Sequence, residues 1–164
     1  MPKTIILVLG IGNPGRRDDG LGPHFIDRLR ALNLPGVAAD ANYQLQVEDA
    51  LSVSRFKRVV FVDAARAIEA PFEMTEVEPL AEFAFTTHSL APHTVLALSR
   101  ELYRKTPTAF LLAIRGYDFG LGEGLSGRAE RNLEAALGHL AEFIRPGTAA
   151  TRRKRARPRT RKNL

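Results

Sequence analysis

The sequence predicts an α/β domain of three layers, a mostly parallel sheet flanked by helices. Three apolar runs carry the expectation. Thr4–Gly10, Val59–Asp63 and Ala109–Ile114 are rich in β-branched residues and Leu. Such unbroken runs read as strands buried on both faces. Between them lie segments whose apolar residues recur near every 3.6 positions, and strands alternating with helices make a parallel sheet. At 164 residues the chain fits one domain on the prior of roughly 100–200 residues each.

The elements follow in order. After the first strand, Ile11–Gly22 reads as a loop rich in Gly, Asn, Pro and charge. A helix is predicted from about Pro23, since Pro suits a first turn. Phe25, Ile26, Leu29 and Leu32 give it an apolar stripe, and Leu34-Pro35-Gly36 ends it. Val37–Asp40 reads as a short strand and Val47–Phe56 as a short helix. Val59–Asp63 ends on a carboxylate. Phe72–Leu80 alternates apolar and polar residues, as a half-exposed strand does. Ala84–Ser89 is a polar connection, and Pro92 opens a helix to about Tyr103. Tyr117–Leu125 is a Gly-rich loop. Ser126 is placed to cap a last helix, in which Ala129, Leu133, Ala136, Leu137, Leu140, Phe143 and Ile144 keep helical spacing. Pro146-Gly147 stops it.

Composition narrows the classes. Hydrophobic residues are 45% and charged residues 26%, ordinary for a globular chain, which excludes collagen-like, coiled-coil and wholly disordered proteins. The absence of Cys excludes disulfides, thiolate metal sites and a Cys nucleophile. No apolar run approaches the roughly 18 residues of a membrane span. The run Ile5–Leu9 is too short for the core of a secretory signal, so a cytoplasmic location is expected. The net charge of +6 is concentrated at one end: residues 146–164 hold eight Arg and Lys and no acid. Residues 1–145 hold 16 basic and 18 acidic residues, a net −2. A domain over 1–145 and a basic, low-complexity tail over 146–164, expected to be disordered, follow from this split.

Sites in open α/β sheets form beyond the carboxyl ends of the strands. Three such loops carry unusual polar residues. The first holds Asn13, Asp18 and Asp19; the second begins at Asp63; a mid-chain connection holds His88, with His93 five residues on. Two carboxylates and one imidazole at a single sheet edge suit a borderline divalent metal such as nickel or zinc. They serve acid–base chemistry equally well. Each has a bland reading. Asp19 before Gly20 is a turn former, Asp63 a cap for the next segment, His88 an ordinary loop histidine. His93, His24 and His139 read as surface or structural. Gly10, Gly12 and Gly15 spell a Gly-x-Gly-x-x-Gly, but two acids would then face the pyrophosphate, which argues against a dinucleotide site.

Together these segments resemble the hydrogenase maturation proteases, endopeptidases that trim the C-terminus of the nickel–iron hydrogenase large subunit. Gly10-Ile11-Gly12-Asn13-Pro14-Gly15-Arg16-Arg17-Asp18-Asp19-Gly20-Leu21-Gly22 is similar to the family's opening motif. Arg17 stands where many members carry Gly, a change of little expected consequence. Val59–Ala64 is similar to the second motif, Thr86-Thr87-His88-Ser89-Leu90 to the third, and Asp118–Ser126 to the stretch before the last helix. The likeness spans roughly residues 4–145. It implies a twisted sheet of about five strands between helices. It implies that Asp19, Asp63 and His88 are the catalytic and metal-contacting residues, Asp19 rather than Asp18 being the ligand of the acidic pair. The nickel they contact is implied to arrive with the precursor, so no permanent cofactor is expected. The expected partner is that precursor, met by a monomer, with no membrane.

Two other readings compete. Peptidyl-tRNA hydrolases open with a similar strand and turn, but need a Thr-Arg-His-Asn-like segment soon after. Here that stretch is Asp18-Asp19-Gly20-Leu21-Gly22-Pro23-His24, whose His24 has no neighbouring Asn. The net-negative body also argues against a tRNA-binding surface. A non-enzymatic module would use the tail alone, in salt-sensitive, sequence-blind contacts with nucleic acid. The complete Asp, Asp and His set argues against that.

Overall fold

The computed structural model describes residues 5–81 and 90–145. Ile6, Val8, Val60, Val62, Leu112 and Ile114 are buried on one face of a sheet, and Leu7, Leu9, Val59 and Phe61 on the other. This period-2 division of each apolar run is what a strand covered on both sides requires. The strands are β1 (Ile6–Ile11), β2 (Val37–Asn42), β3 (Arg58–Ala65), β4 (Phe72–Val77) and β5 (Thr108–Arg115). The helices are α1 (Leu21–Ala31), α2 (Asp49–Ser54), α3 (Pro92–Tyr103) and α4 (Gly127–Ile144).

α1 and α4 cover the first face with Phe25, Ile26, Leu29, Leu133, Leu137 and Leu140. α2 and α3 cover the second with Ala50, Val53, Val95, Leu96 and Leu98. Each large apolar side chain so buried contributes about 1.5–3 kcal/mol of transfer free energy. Arg28 of α1 also pairs with Glu130 and Glu134 of α4, clasping the two helices side by side.

The sheet order is β2-β1-β3-β5-β4, with β4 alone antiparallel, at an edge. The expected mostly parallel, five-stranded, three-layer α/β fold is what forms. β1 connects to β2 on one side, and the chain then returns to β3 on the other. At the carboxyl ends of β1 and β3 the connections therefore leave in opposite directions. Such a switch point opens a crevice in doubly wound sheets.

Several boundaries differ from expectation. α1 begins at Leu21, with Pro23 as its third residue, and a 3-10 turn spans Arg17–Gly20 where a plain loop was expected. Pro is tolerated there because first-turn N–H groups have no helical acceptor. The short helix narrows to Asp49–Ser54, β2 extends to Asn42, and β4 stops at Val77. β1 runs from Ile6 to Ile11. Pro92 does open α3, and the Ser126 hydroxyl accepts the Ala129 N–H at 3.3 Å to cap α4. Thr4, the polar connection Ala84–Ser89 and the stop at Pro146 lie outside the described residues.

Candidate functional site

The loop leaving β1 is shaped by close backbone contacts. Gly12 sits at φ 144°, and a Cβ there would collide with the carbonyl oxygen of Asp19. The loop thus folds back on itself, and the N–H of Asn13 donates to Asp19 Oδ2 at 3.0 Å. Asn13 Oδ1 in turn accepts the Gly15 N–H at 2.9 Å.

The 3-10 turn then sends two adjacent aspartates in different directions. Asp18 is fully buried. Its carboxylate accepts the N–H groups of Tyr117 (2.8 Å), Asp118 (3.0 Å) and Ser126 (2.7 Å), and the Ser126 hydroxyl (2.7 Å). Burial alone raises its pKa. The N–H groups of Asp118, Ser126 and Tyr117 and the Ser126 hydroxyl outweigh burial and hold it below the usual value. Asp18 is therefore a bolt between the loop after β1 and the loop after β5. Asp19, one residue on, is only half-buried and lines an open cleft.

That cleft, of about 410 Å³, is lined by Ile11, Gly12, Asp19, Tyr43, Gln44, Leu45, Asp63, Leu90, Ala91 and Pro92. It sits at the switch point between β1 and β3. Asp63 reaches it because odd-numbered residues of β3 face α2 and α3. Among the described residues its Oδ1 accepts the N–H of the next residue, Ala64, at 2.8 Å. Burial pushes its pKa up to about 6; the Ala64 N–H opposes this, and the nearby Asp19 charge adds to it. Two carboxylates thus share one cleft, with few donors to them among the described residues. A bound cation would relieve both the burial and the mutual repulsion.

The far wall was not foreseen. Tyr43–Leu45 follows β2, and Leu45 pairs backbone to backbone with Leu90. Asp49 anchors the wall by accepting the Gln46 N–H at 2.7 Å. The signal was present in the sequence as an aromatic residue just past a strand end. It is weak because Tyr in a loop is common.

His88, the third sequence candidate, lies outside the described residues. Among the described residues no group of three or more His, Cys, Asp or Glu gathers in a metal-holding geometry. His93 is the second residue of α3, and its carbonyl accepts the Leu80 N–H at 3.1 Å. His139 packs against Phe72 with ring centroids 5.2 Å apart. His24 turns Nε2 into the interior without a partner among the described residues. Arg17 matters more than expected. It adopts φ 48°, a left-handed conformation that Gly enters without steric cost. Its side chain lies over Gly122 and pairs with Asp118 at 3.6 Å, a second tie to the loop after β5.

No family model matches the chain. A Methanocaldococcus jannaschii protein provisionally named a hydrogenase maturation protease is 25% identical over 161 residues, covering 85% of this chain and 99% of its own. The solved nickel–iron hydrogenase maturation protease HycI of Thermococcus kodakarensis superposes with a TM-score of 0.66 at 28% identity. That match covers 87% of this chain and 93% of the other. The hydrogenase maturating endopeptidase HybD of Escherichia coli gives 0.67 at 20% identity, over 92% and 93%, and shares the fold. In sequence and fold the chain is thus similar to endopeptidases built on an α/β sheet. The proteins it resembles are hydrogenase maturation proteases. No helix of the described residues is long and apolar enough to cross a membrane.

Proposed function

We propose that this protein removes a short C-terminal peptide from the nickel-loaded precursor of a nickel–iron hydrogenase large subunit. Asp19, Asp63 and His88 contact the nickel that the precursor carries. The observation behind this reading is the meeting of Asp19 and Asp63 in one cleft at the switch point. The wall of that cleft continues into Leu90, two residues after His88. Two residues of chain span no more than about 7 Å.

The donor set fits the task. Carboxylates and an imidazole without thiolate bind a borderline divalent ion with open coordination positions. Such a site shares a metal already held by the precursor and needs no resident cofactor. The open cleft admits an extended peptide between Tyr43–Leu45 and Leu90–Pro92. The protein acts as a cytoplasmic monomer, with residues 1–145 as the working domain and the basic tail an accessory.

The test is a processing assay. Nickel-loaded and nickel-free large-subunit precursor from the same genome are incubated with the purified protein, and the mass of the C-terminus is followed. Loss of a short peptide from the nickel-loaded sample alone is expected. Cleavage of both samples would remove nickel recognition from the reading, and cleavage of neither would overturn it.

A further inference from the structure

Several arginines among the described residues are answered by a carboxylate. Arg28 pairs with Glu130 and Glu134, Arg30 with Asp40, Arg100 with Glu101 and Arg17 with Asp118. A different arrangement holds the arginines at the carboxyl ends of β3 and β5. Arg66 lies flat on the Phe119 ring, its guanidinium carbon 3.9 Å from the centroid, and Arg128 lies on Tyr117 at 3.9 Å. Arg115 approaches the same Tyr117 ring at 5.1 Å and leaves its Nε without a partner. Neither Arg66 nor Arg128 has a carboxylate partner among the described residues, and both are exposed.

The placement of Arg128 runs against the stability of its helix. Arg128 is the second residue of the 18-residue helix α4, and Arg131 follows within its first two turns. A cation there faces the positive end of the helix dipole, which is unfavourable. The stack on Tyr117 holds Arg128 in this position. Stacking on an aromatic ring fixes each guanidinium plane and leaves its fork of N–H donors open. A carboxylate matches that fork with two parallel hydrogen bonds.

The surface lies at the same sheet edge as the site. The Phe119 ring packs over Gly116 beside Asp18: a Cβ on Gly116 would lie 2.8 Å from Phe119 Cζ and 2.9 Å from Asp18 Cβ. Arg66 lies three residues beyond Asp63. Arg66 follows β3, and Tyr117 and Phe119 follow β5, at the carboxyl edge of the sheet where the cleft opens. Bases of a nucleic acid would need bare aromatic faces on which to stack. Here the guanidiniums already cover a face of each ring.

We infer that Arg66 on Phe119 and Arg128 on Tyr117 form a carboxylate-reading surface that engages an acidic segment of the polypeptide substrate beside the cleavage cleft. The inference rests on the protease reading for its partner.

The test uses the full chain and its R66A/R128A variant, with R55A, an exposed arginine elsewhere, as control. Three labelled probes are followed by fluorescence anisotropy: an amidated Glu-Gly decapeptide, a neutral Ser-Gly decapeptide with a free C-terminal carboxylate, and oligouridylate. The basic tail is common to all variants, so its contribution cancels. The acidic peptide is expected to bind wild type and R55A alike, and R66A/R128A about tenfold more weakly. In the precursor assay the double variant is expected to raise KM about tenfold with kcat unchanged. Equal binding by wild type and double variant overturns the inference. So does tighter binding of oligouridylate than of the acidic peptide, or neutral-peptide binding that equals the acidic one. If wild type fails to process precursor while the acidic-peptide difference holds, the protease reading falls and the carboxylate surface stands.

Discussion

Ser126 donates both its N–H and its hydroxyl to the carboxylate of Asp18, each at 2.7 Å, across 108 residues of sequence. One side chain thereby joins the turn after β1, the loop after β5 and the cap of α4. Asp18→Asn turns an NH2 group toward donors that need an acceptor. It is expected to cost about 2–4 kcal/mol in urea unfolding. The pKa of Asp18 is lower in the folded than in the unfolded chain. Its stabilisation is therefore present above the unfolded value of 3.8 and lost as pH falls through the folded one. Acid unfolding of D18N should lack that contribution; an unchanged profile would deny Asp18 its role as a bolt.

Asp63 carries the opposite sign. Its folded pKa of about 6 lies above its ordinary 3.8. Its contribution to stability is full below 3.8 and is lost as pH rises through about 6. Asp63→Asn is therefore expected to raise stability at pH 7 by about 1–3 kcal/mol while abolishing processing. Thermal unfolding at pH 4 and pH 7 checks this, since the gain should shrink at the lower pH.

Asp19→Asn keeps an oxygen to accept the Asn13 N–H and removes the charge in the cleft. It should unfold within about 1 kcal/mol of wild type and process nickel-loaded precursor at least about a hundredfold more slowly. His88→Ala is expected to do the same. Normal processing by either variant would remove that residue from the nickel-contacting set.

Deleting residues 151–164 removes eight basic residues and no acid. Circular dichroism, unfolding and processing at moderate salt are expected to match the full chain. Loss of cleavage in the truncated protein would make the tail part of the machinery.

The elements that periodicity located well are those whose environment is uniform along their length. β1, β3 and β5 bury residues on both faces of the sheet, so their apolar runs report burial, and α3 and α4 carry their own signals in Pro92 and Ser126. The poorly placed edges, Arg17–Gly20 and Asp49–Ser54, are short segments held by contacts from elsewhere. The Asp18 N–H donates to the Asp118 carbonyl at 2.8 Å, a partner a hundred residues away that local spacing does not register.

The sequence by itself determined the α/β class, the three apolar strands and a carboxylate at the end of one of them. Tertiary structure alone decided that β1 and β3 are neighbours, which brings Asp19 and Asp63 to one cleft. It decided too that Asp18 turns inward to four donors while Asp19 turns to that cleft. The reason is physical: burial along a strand or helix is written into local periodicity, whereas the choice of neighbour is settled by contacts between segments far apart in the chain.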